Sequence, residues 1–193
     1  MTLSEQQQII TLWKEYLDGN ELAFSRLYFL FFDDLLTYGR RIGGDDGMVE
    51  DVIQDLFVKL YQRKLELHDN TKLRPFLFRA LKNRVYNQLL RHSKQRSLED
   101  YEFNLNYTID DEVFSNEKQR LSDEVHRIMR GLSGRQKEII YLRFVHEMSF
   151  DEISEIMDIH VQSARNLLFR SIEKIRKEVS MTSFLSVLQA ITM

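Results

Sequence analysis

Few residues in this 193-residue sequence are arranged for catalysis. His146-Glu147 begins like the zinc-binding motif H-E-x-x-H, but no second histidine follows at the required spacing, and the other histidines form no pair at helical ligand spacing. The absence of cysteine excludes thiol nucleophiles, disulfides and cysteine-ligated metals. No glycine-rich phosphate-binding loop of the P-loop or dinucleotide type occurs. We therefore expect no metal, no cofactor, no small-molecule substrate and no enzymatic activity.

One further segment could suggest an enzyme. Gly43-Gly44-Asp45-Asp46-Gly47 resembles the GG[DE]EF signature of diguanylate cyclases, although it departs from that signature at Gly47. The cyclase motif requires a hairpin between two strands, whereas helical patterns flank these glycines on both sides. A connecting loop between helices is the better interpretation, and a nucleotide-cyclising enzyme remains a minor alternative.

The distribution of charge points instead to a polyanion. The net charge is −3, yet Leu73 to Arg96 contains seven basic residues and no acidic one, and Val161 to Lys177 contains five basic residues against Glu173 alone. Between these stretches, residues 97 to 124 carry nine acidic and two basic groups. Positive potential concentrated in two segments is typical of a nucleic-acid-binding protein, and a near-neutral overall charge does not prevent it.

Aromatic residues alternate with the cations of the first basic stretch. Phe76, Phe78 and Tyr86 are either core residues, which is the usual case, or flat surfaces on which unpaired bases stack. Each stacked base contributes roughly 1–3 kcal/mol, which would offset part of the cost of opening a base pair. We expect at least one of the three rings to belong to the core.

The elements that position these residues are predicted to be helices, since the sequence has only seven glycines and one proline. The aromatic-rich segment Glu21 to Arg41 is predicted to form two packed helices. Apolar residues from Val49 to Tyr61 follow one helical stripe, and the opposite face carries Glu50, Asp51, Gln54, Asp55 and Lys59. Leu73 to Arg91 is predicted to be a helix with Leu77, Ala80, Leu81, Val85 and Leu89 facing inward and Arg79, Lys82, Asn83, Tyr86, Asn87 and Arg91 outside.

The second half of the chain shows a helix-turn-helix pattern. Ser149 and Glu152 have the spacing of a capping box, Asp158 to His160 forms a short break, and a basic helix begins at Val161. We predict an all-α fold of two small helical domains joined by a flexible acidic linker. The predicted bounds are residues 1–96 and 117–180 for the domains, 97–116 for the linker, and 181–193 for an apolar tail.

The arrangement resembles sigma factors of the extracytoplasmic-function (ECF) type, in the sigma-70 superfamily, over most of the chain. The stretch from Val49 to Tyr61, VEDVIQDLFVKLY, resembles the region 2.2 helix of this family. The stretch from Leu132 to Phe144, LSGRQKEIIYLRF, continued by MSFDEISEIM up to Met157, resembles region 4.

The resemblance implies roles for particular residues. Binding to the β′ clamp helices of RNA polymerase is expected of Asp51, Gln54 and Asp55. Recognition and melting of the minus-10 element is expected of Arg79, Lys82, Asn83, Phe76 and Tyr86, with a base selector in the loop Glu66 to Lys72. Recognition of the minus-35 element is expected of Arg165, Asn166, Phe169 and Arg170.

The implied partners are core RNA polymerase, including its β′ clamp helices and β flap, promoter DNA, and an anti-sigma factor. The N-terminus lacks the basic flank and apolar run of a signal peptide, and no long apolar stretch occurs, so we expect a cytoplasmic protein without direct membrane insertion. The alternative is a helix-turn-helix regulator that acts without replacing the sigma subunit. Such a regulator has no need of the acidic strip Asp51, Gln54 and Asp55.

Overall fold

The computed structural model describes residues 3–63, 72–92, 103–104 and 130–178, and the regular structure within these ranges is helical, which confirms the all-α prediction. The helices are α1 (Leu3–Leu17), α2 (Glu21–Ile42), α3 (Asp46–Arg63), α4 (Leu73–His92), α5 (Gly134–Ile140), α6 (Phe150–Met157) and α7 (Val161–Glu178). A π-helical turn, Tyr141–Val145, extends α5. None of these helices is both long and apolar enough to cross a membrane.

The chain forms two compact units. One consists of residues 1–98 and 155–158, and the other of residues 99–154 and 159–193. In the first unit α1 packs on α2, and α2, α3 and α4 pack on one another. Helix α1 was not predicted from the sequence, although its buried residues Ile9, Leu12, Trp13 and Tyr16 have the three-and-four spacing of an amphipathic helix.

The aromatic-rich segment is a single helix, so the prediction of two packed helices from Glu21 to Arg41 is wrong. Helix α2 runs for 22 residues behind an N-cap at Asn20, whose side chain accepts a hydrogen bond from the backbone of Leu22. Its interior glycine does not break it, because Gly39 lies against Val49 of α3 and leaves no room for a Cβ. The glycine thus serves close packing of two helices.

Each residue of Gly43 to Asp46 has a structural role at the corner between α2 and α3. Gly43 ends α2 in the left-handed conformation with φ 108°, and a Cβ on Gly44 would collide with Val49. The Asp45 carboxylate accepts from the backbone N–H of Met48 at 2.9 Å. Asp46 receives two hydrogen bonds from Arg40, 2.6 and 2.7 Å long, which raise the pKa of that guanidinium. The segment is a helix connection, as expected, and not the hairpin of a cyclase.

The second unit contains the helix-turn-helix pattern except residues 155–158. The predicted capping box at α6 is present, with Glu152 N–H donating to Ser149 Oγ at 3.2 Å and Ser149 N–H donating to Glu152 Oε2 at 2.8 Å. A second capping box, which the sequence analysis missed, begins α5 at Ser133 and Gln136. Asp158 ends α6 with φ 53°, a conformation that aspartate tolerates better than most residues.

Most of the predicted linker lies outside the described residues, as do the selector loop up to residue 71 and the tail 181–193. The exceptions are Phe103 and Asn104. Phe103 is fully buried, and its ring lies 5.5 Å from the ring of Tyr141. This part of the predicted linker is therefore anchored in the second unit, because an aromatic side chain gains more from burial than it loses in freedom.

Candidate nucleic-acid interface

Helix α3 presents an exposed acidic strip. Its inner face is buried through Val49, Val52, Ile53, Leu56, Phe57 and Leu60, as predicted. The opposite face exposes Asp51, Gln54 and Asp55, which lie within one turn of each other. Val58 continues this strip one turn further and is 53% exposed. Val58 was not predicted to be exposed, although its spacing of seven residues from Asp51, about two helical turns, places it on the same face.

The end of the predicted apolar stripe does not stay in the core. Tyr61 is 42% exposed, because its hydroxyl turns outward to donate to Glu21 Oε1 at 2.8 Å. That hydrogen bond raises the pKa of Tyr61. The ring still packs against Tyr16 and Phe24, and the Tyr16 hydroxyl donates to the backbone oxygen of Tyr61 at 2.9 Å. Tyr61 thus fixes the end of α3 to α1 and α2.

Helix α4 carries fewer surface cations than its sequence suggests. Arg79, Asn83 and Arg91 are exposed and Lys82 is half-buried. Arg74, one of the seven basic residues of this stretch, is only 4% exposed, with its guanidinium carbon 5.9 Å from the centre of the Phe78 ring. The basic stretch therefore offers its charge mainly from the residues after the first turn.

The aromatic residues of α4 belong mainly to the core. Phe78 is fully buried against Tyr38, and Tyr86 is 5% exposed. The prediction that Tyr86 lies outside is wrong, because Tyr86 is next to the buried Val85 and about two turns from the buried Phe78, at the edge of the inner face of the helix. Phe76 is half-buried. The expectation that at least one ring belongs to the core is confirmed, and only Phe76 keeps an accessible face.

Helix α7 presents four candidate residues on one surface. Arg165, Asn166, Phe169 and Arg170 are all exposed, and Phe169 has 64% of its surface accessible. They combine guanidinium groups that can bind guanine edges or phosphates, an amide suited to adenine, and an apolar ring suited to a thymine methyl group. Ala164, Leu168, Ser171 and Ile175 form the buried side of the same helix.

Short-range structure fixes where this helix begins. The backbone N–H of Ile159 donates to the backbone carbonyl oxygen of Ser154 at 3.1 Å. The backbone N–H of Ala164 donates to the backbone carbonyl oxygen of His160 at 3.0 Å. The buried Ser171 hydroxyl donates to Leu167 at 2.7 Å, so the core of the unit accepts a polar residue without an unmet hydrogen bond. The exposed face of α7 is thus held in a defined register.

No metal site is found among the described residues, where no group of three or more potential ligands occurs. His146, for which a surface or turn position was expected, lies in a turn but is 5% exposed, with its ring 4.9 Å from that of Tyr141. Glu138 is fully buried nearby in sequence. The sequence pattern did not predict the burial of these two polar residues, since each stands beside a charged residue, Lys137 or Glu147, and glutamate is almost never fully buried.

Two family models match the chain. The model "Sigma-70 region 2" matches residues 30–95, which contain α3, α4 and most of α2. The model "Sigma-70, region 4" matches residues 122–175, which contain α5, α6 and most of α7. The chain belongs to the sigma-70 family. The acidic strip falls within the region 2 match, and the exposed face of α7 falls within the region 4 match.

Full-length relatives agree with this assignment and with the ECF type. The chain is 28% identical over 189 residues to an ECF RNA polymerase sigma-E factor of Haemophilus influenzae, covering 92% of this chain and 98% of the relative. It is 21% identical over 161 residues to the ECF RNA polymerase sigma factor SigM of Bacillus subtilis, covering 80% and 94%. A solved structure described as CnrH in complex with the cytosolic domain of CnrY aligns with a TM-score of 0.56 and 20% identity, covering 88% of this chain and 96% of the matched chain. These relatives favour a sigma factor over an independent helix-turn-helix regulator.

Proposed function

We propose that this sigma factor docks on core RNA polymerase through the acidic strip of α3 and recognises promoter DNA through α4 and α7. The observation that carries the proposal is the strip itself. Asp51, Gln54 and Asp55 are exposed on a helix whose other face is fully buried, within the segment that matches sigma-70 region 2. Carboxylates displayed on a rigid helix suit a basic patch on a partner protein, such as one on a coiled coil. Electrostatic complementarity of this kind speeds association and fixes the register of docking.

Helix α4 is the proposed minus-10 surface. Arg79 and Lys82 supply positive charge for phosphates, Asn83 can bond to a base edge, and Phe76 offers a partly accessible ring for an unstacked base. We assign Tyr86 to the core on account of its burial. Because α4 packs on α2 and α3, the proposed surface is rigid, which suits a helix that must hold separated strands.

Helix α7 is the proposed minus-35 reader. Recognition helices of the helix-turn-helix class enter the major groove with their N-terminal residues on the base edges. Arg165 and Asn166 lie in the second turn of α7, and Phe169 and Arg170 lie one turn later on the same exposed side. We assign the reading of upstream sequence to these four residues.

A protein regulator completes the proposal. The CnrH structure contains the cytosolic domain of CnrY, and the relatives belong to the ECF type, so we propose that an anti-sigma factor also holds this chain. We further propose that the sigma factor itself acts in the cytoplasm, binds no cofactor and catalyses no reaction. Its role is to direct the polymerase to promoters and to help open them.

The test is a double substitution in the strip. Asp51→Ala combined with Asp55→Ala should weaken binding to core polymerase at least tenfold, about 1.4 kcal/mol, since close charge pairs across an interface contribute about 1.5–7 kcal/mol. Fluorescence anisotropy of the labelled full-length chain measures the affinity, and promoter opening by the reconstituted holoenzyme measures the consequence. Unfolding by urea should be unchanged because both residues are exposed.

A matched control uses two exposed aspartates elsewhere in the same unit. Asp18→Ala with Asp33→Ala changes the net charge by the same amount and should leave the affinity for polymerase unaltered. If both double variants bind core polymerase as tightly as the unmodified chain, the strip is not the docking surface. If the unmodified chain binds duplex DNA specifically but has no affinity for polymerase, the proposed function is wrong.

A further inference from the structure

One exposed residue of the proposed minus-35 surface is not free to rotate at random. The guanidinium carbon of Arg165 lies 5.0 Å from the centre of the Phe150 ring, over its face, and the guanidinium carbon of Arg143 lies 5.4 Å from the same centre. Both distances are within the range of a cation–π interaction. A single aromatic ring thus contacts one arginine of the π-helical turn and one arginine of α7.

The ring is itself held in place. Phe150 is the first residue of α6, directly after the capping-box residue Ser149, whose hydroxyl and backbone are both engaged by Glu152. Arg143 donates from Nη1 to the backbone oxygen of Met148 at 2.7 Å, which ties the π-helical turn to the start of α6. Phe150 therefore stands on a segment fixed from both sides, and it is half-buried.

We propose that Phe150 is a positioning residue that orients Arg165 for upstream promoter recognition, an inference that rests on the proposed minus-35 role of α7. An arginine side chain in solution samples many rotamers, and ordering it on DNA costs free energy. A ring under the guanidinium restricts those rotamers before DNA arrives, so less is lost on binding. Arg143 contributes by fixing the backbone that presents the ring.

The experiment uses the holoenzyme of the full-length chain and a library of duplex promoters in which the upstream ten or so base pairs are randomised. Binding of each sequence gives a base-by-base preference profile and an affinity for the preferred sequence. The variants are Arg165→Ala, Phe150→Leu, which keeps an apolar side chain without the ring, Phe150→Tyr, which keeps the ring, and the double variant Phe150→Leu with Arg165→Ala. Thermal unfolding of each variant measures the integrity of the fold.

Phe150→Leu should weaken binding to the preferred sequence about twofold to fivefold, the fold-change that corresponds to about 0.5–1 kcal/mol for an exposed cation–π pair. It should alter the profile at the same base pairs as Arg165→Ala, and adding it to Arg165→Ala should cause no further loss. Phe150→Tyr should preserve both profile and affinity. A merely structural role for Phe150 would not produce this agreement between profiles, because loss of folding weakens all sequences alike.

Two outcomes would overturn the inference while leaving the proposed function intact. One is that Arg165→Ala alters the base-preference profile while Phe150→Leu leaves it unchanged. The other is a loss in Phe150→Leu that adds fully to that of Arg165→Ala, since contacting residues that act as a unit are not additive. A holoenzyme that shows no upstream preference at all, even unmodified, contradicts the proposed function of α7 instead.

Discussion

Replacing Phe103 by alanine tests whether residues 103–104 of the predicted linker are anchored in the second unit. Phe103 is fully buried and its ring contacts Tyr141, so the substitution removes a whole aromatic side chain from an apolar site. Phe→Ala changes in protein cores cost about 3–5 kcal/mol, of which an aromatic pair accounts for about 0.5–1.5 kcal/mol. We expect a loss of about 3 kcal/mol, because Phe103 lies outside a helix and its neighbours can partly close the cavity.

Urea unfolding of the full-length chain measures this loss separately for the two units. The chain has one tryptophan, Trp13, which is fully buried in the first unit, so its fluorescence reports unfolding of that unit alone. Circular dichroism reports the helices of both. With a denaturant dependence of about 2 kcal/mol per molar, Phe103→Ala should lower the midpoint of the second unit's transition by about 1.5 M. The fluorescence transition should stay in place.

Asn104→Ala is the matched control, because Asn104 is the exposed neighbour of Phe103. It should lower the midpoint of the second unit's transition by much less than Phe103→Ala does, because substitutions at exposed positions usually cost far less than the loss of a buried ring. If Phe103→Ala unfolds at the same urea concentration as the unmodified chain by circular dichroism, the ring contributes nothing to the stability of the second unit. The anchoring of residues 103–104 would then be refuted.

Two further predictions concern the first unit. Gly39→Ala should destabilise it by about 1–3 kcal/mol, because the added Cβ would overlap Val49, and the Trp13 fluorescence transition in urea should move to a lower midpoint by the corresponding amount. Burial raises the pKa of Tyr16 above 10, so the unfolded chain loses that proton at lower pH than the folded one. Below pH 10 the ionisation of Tyr16 should therefore not change the free energy of unfolding. That free energy should fall as the pH rises further. Tyr16→Phe should reduce that slope, as unfolding by urea between pH 8 and 11 would show.

Sequence periodicity predicted the elements that have one continuous apolar stripe. The buried face of α3 and the capping box at Ser149 follow directly from local spacing, and the strip Asp51, Gln54 and Asp55 is exposed because that spacing leaves it no other place. The break at Asp158 was also predicted from local spacing, because it separates two helical patterns. These features depend on residues within one or two turns of each other.

The predictions from sequence were wrong where contacts between residues far apart in the chain determine the structure. Glu21 to Arg41 forms one helix that packs on α1, α3 and α4, so its apolar residues exceed the single stripe by which local spacing identifies a helix. Tyr86 is polar enough for a surface yet is buried, and Arg74 lies within a basic run yet is buried beside Phe78. Side chains with a polar tip and an apolar body suit either environment, so only the packing of the neighbouring helices settles their position.

Under the proposed function, the distribution of exposed charge predicts that this sigma factor binds promoter DNA weakly without the polymerase. On α4 the exposed cations include Arg79 and Arg91, while Lys82 is half-buried and Arg74 is buried, so this helix can neutralise fewer phosphates than its sequence suggests. The chain as a whole carries a charge of −3, which gives no general attraction to a polyanion. Two weak DNA-binding surfaces become a strong one when both are held at high effective concentration. Under the proposed function, docking of the acidic strip on the polymerase would supply that concentration, and would so couple promoter recognition to the presence of the polymerase.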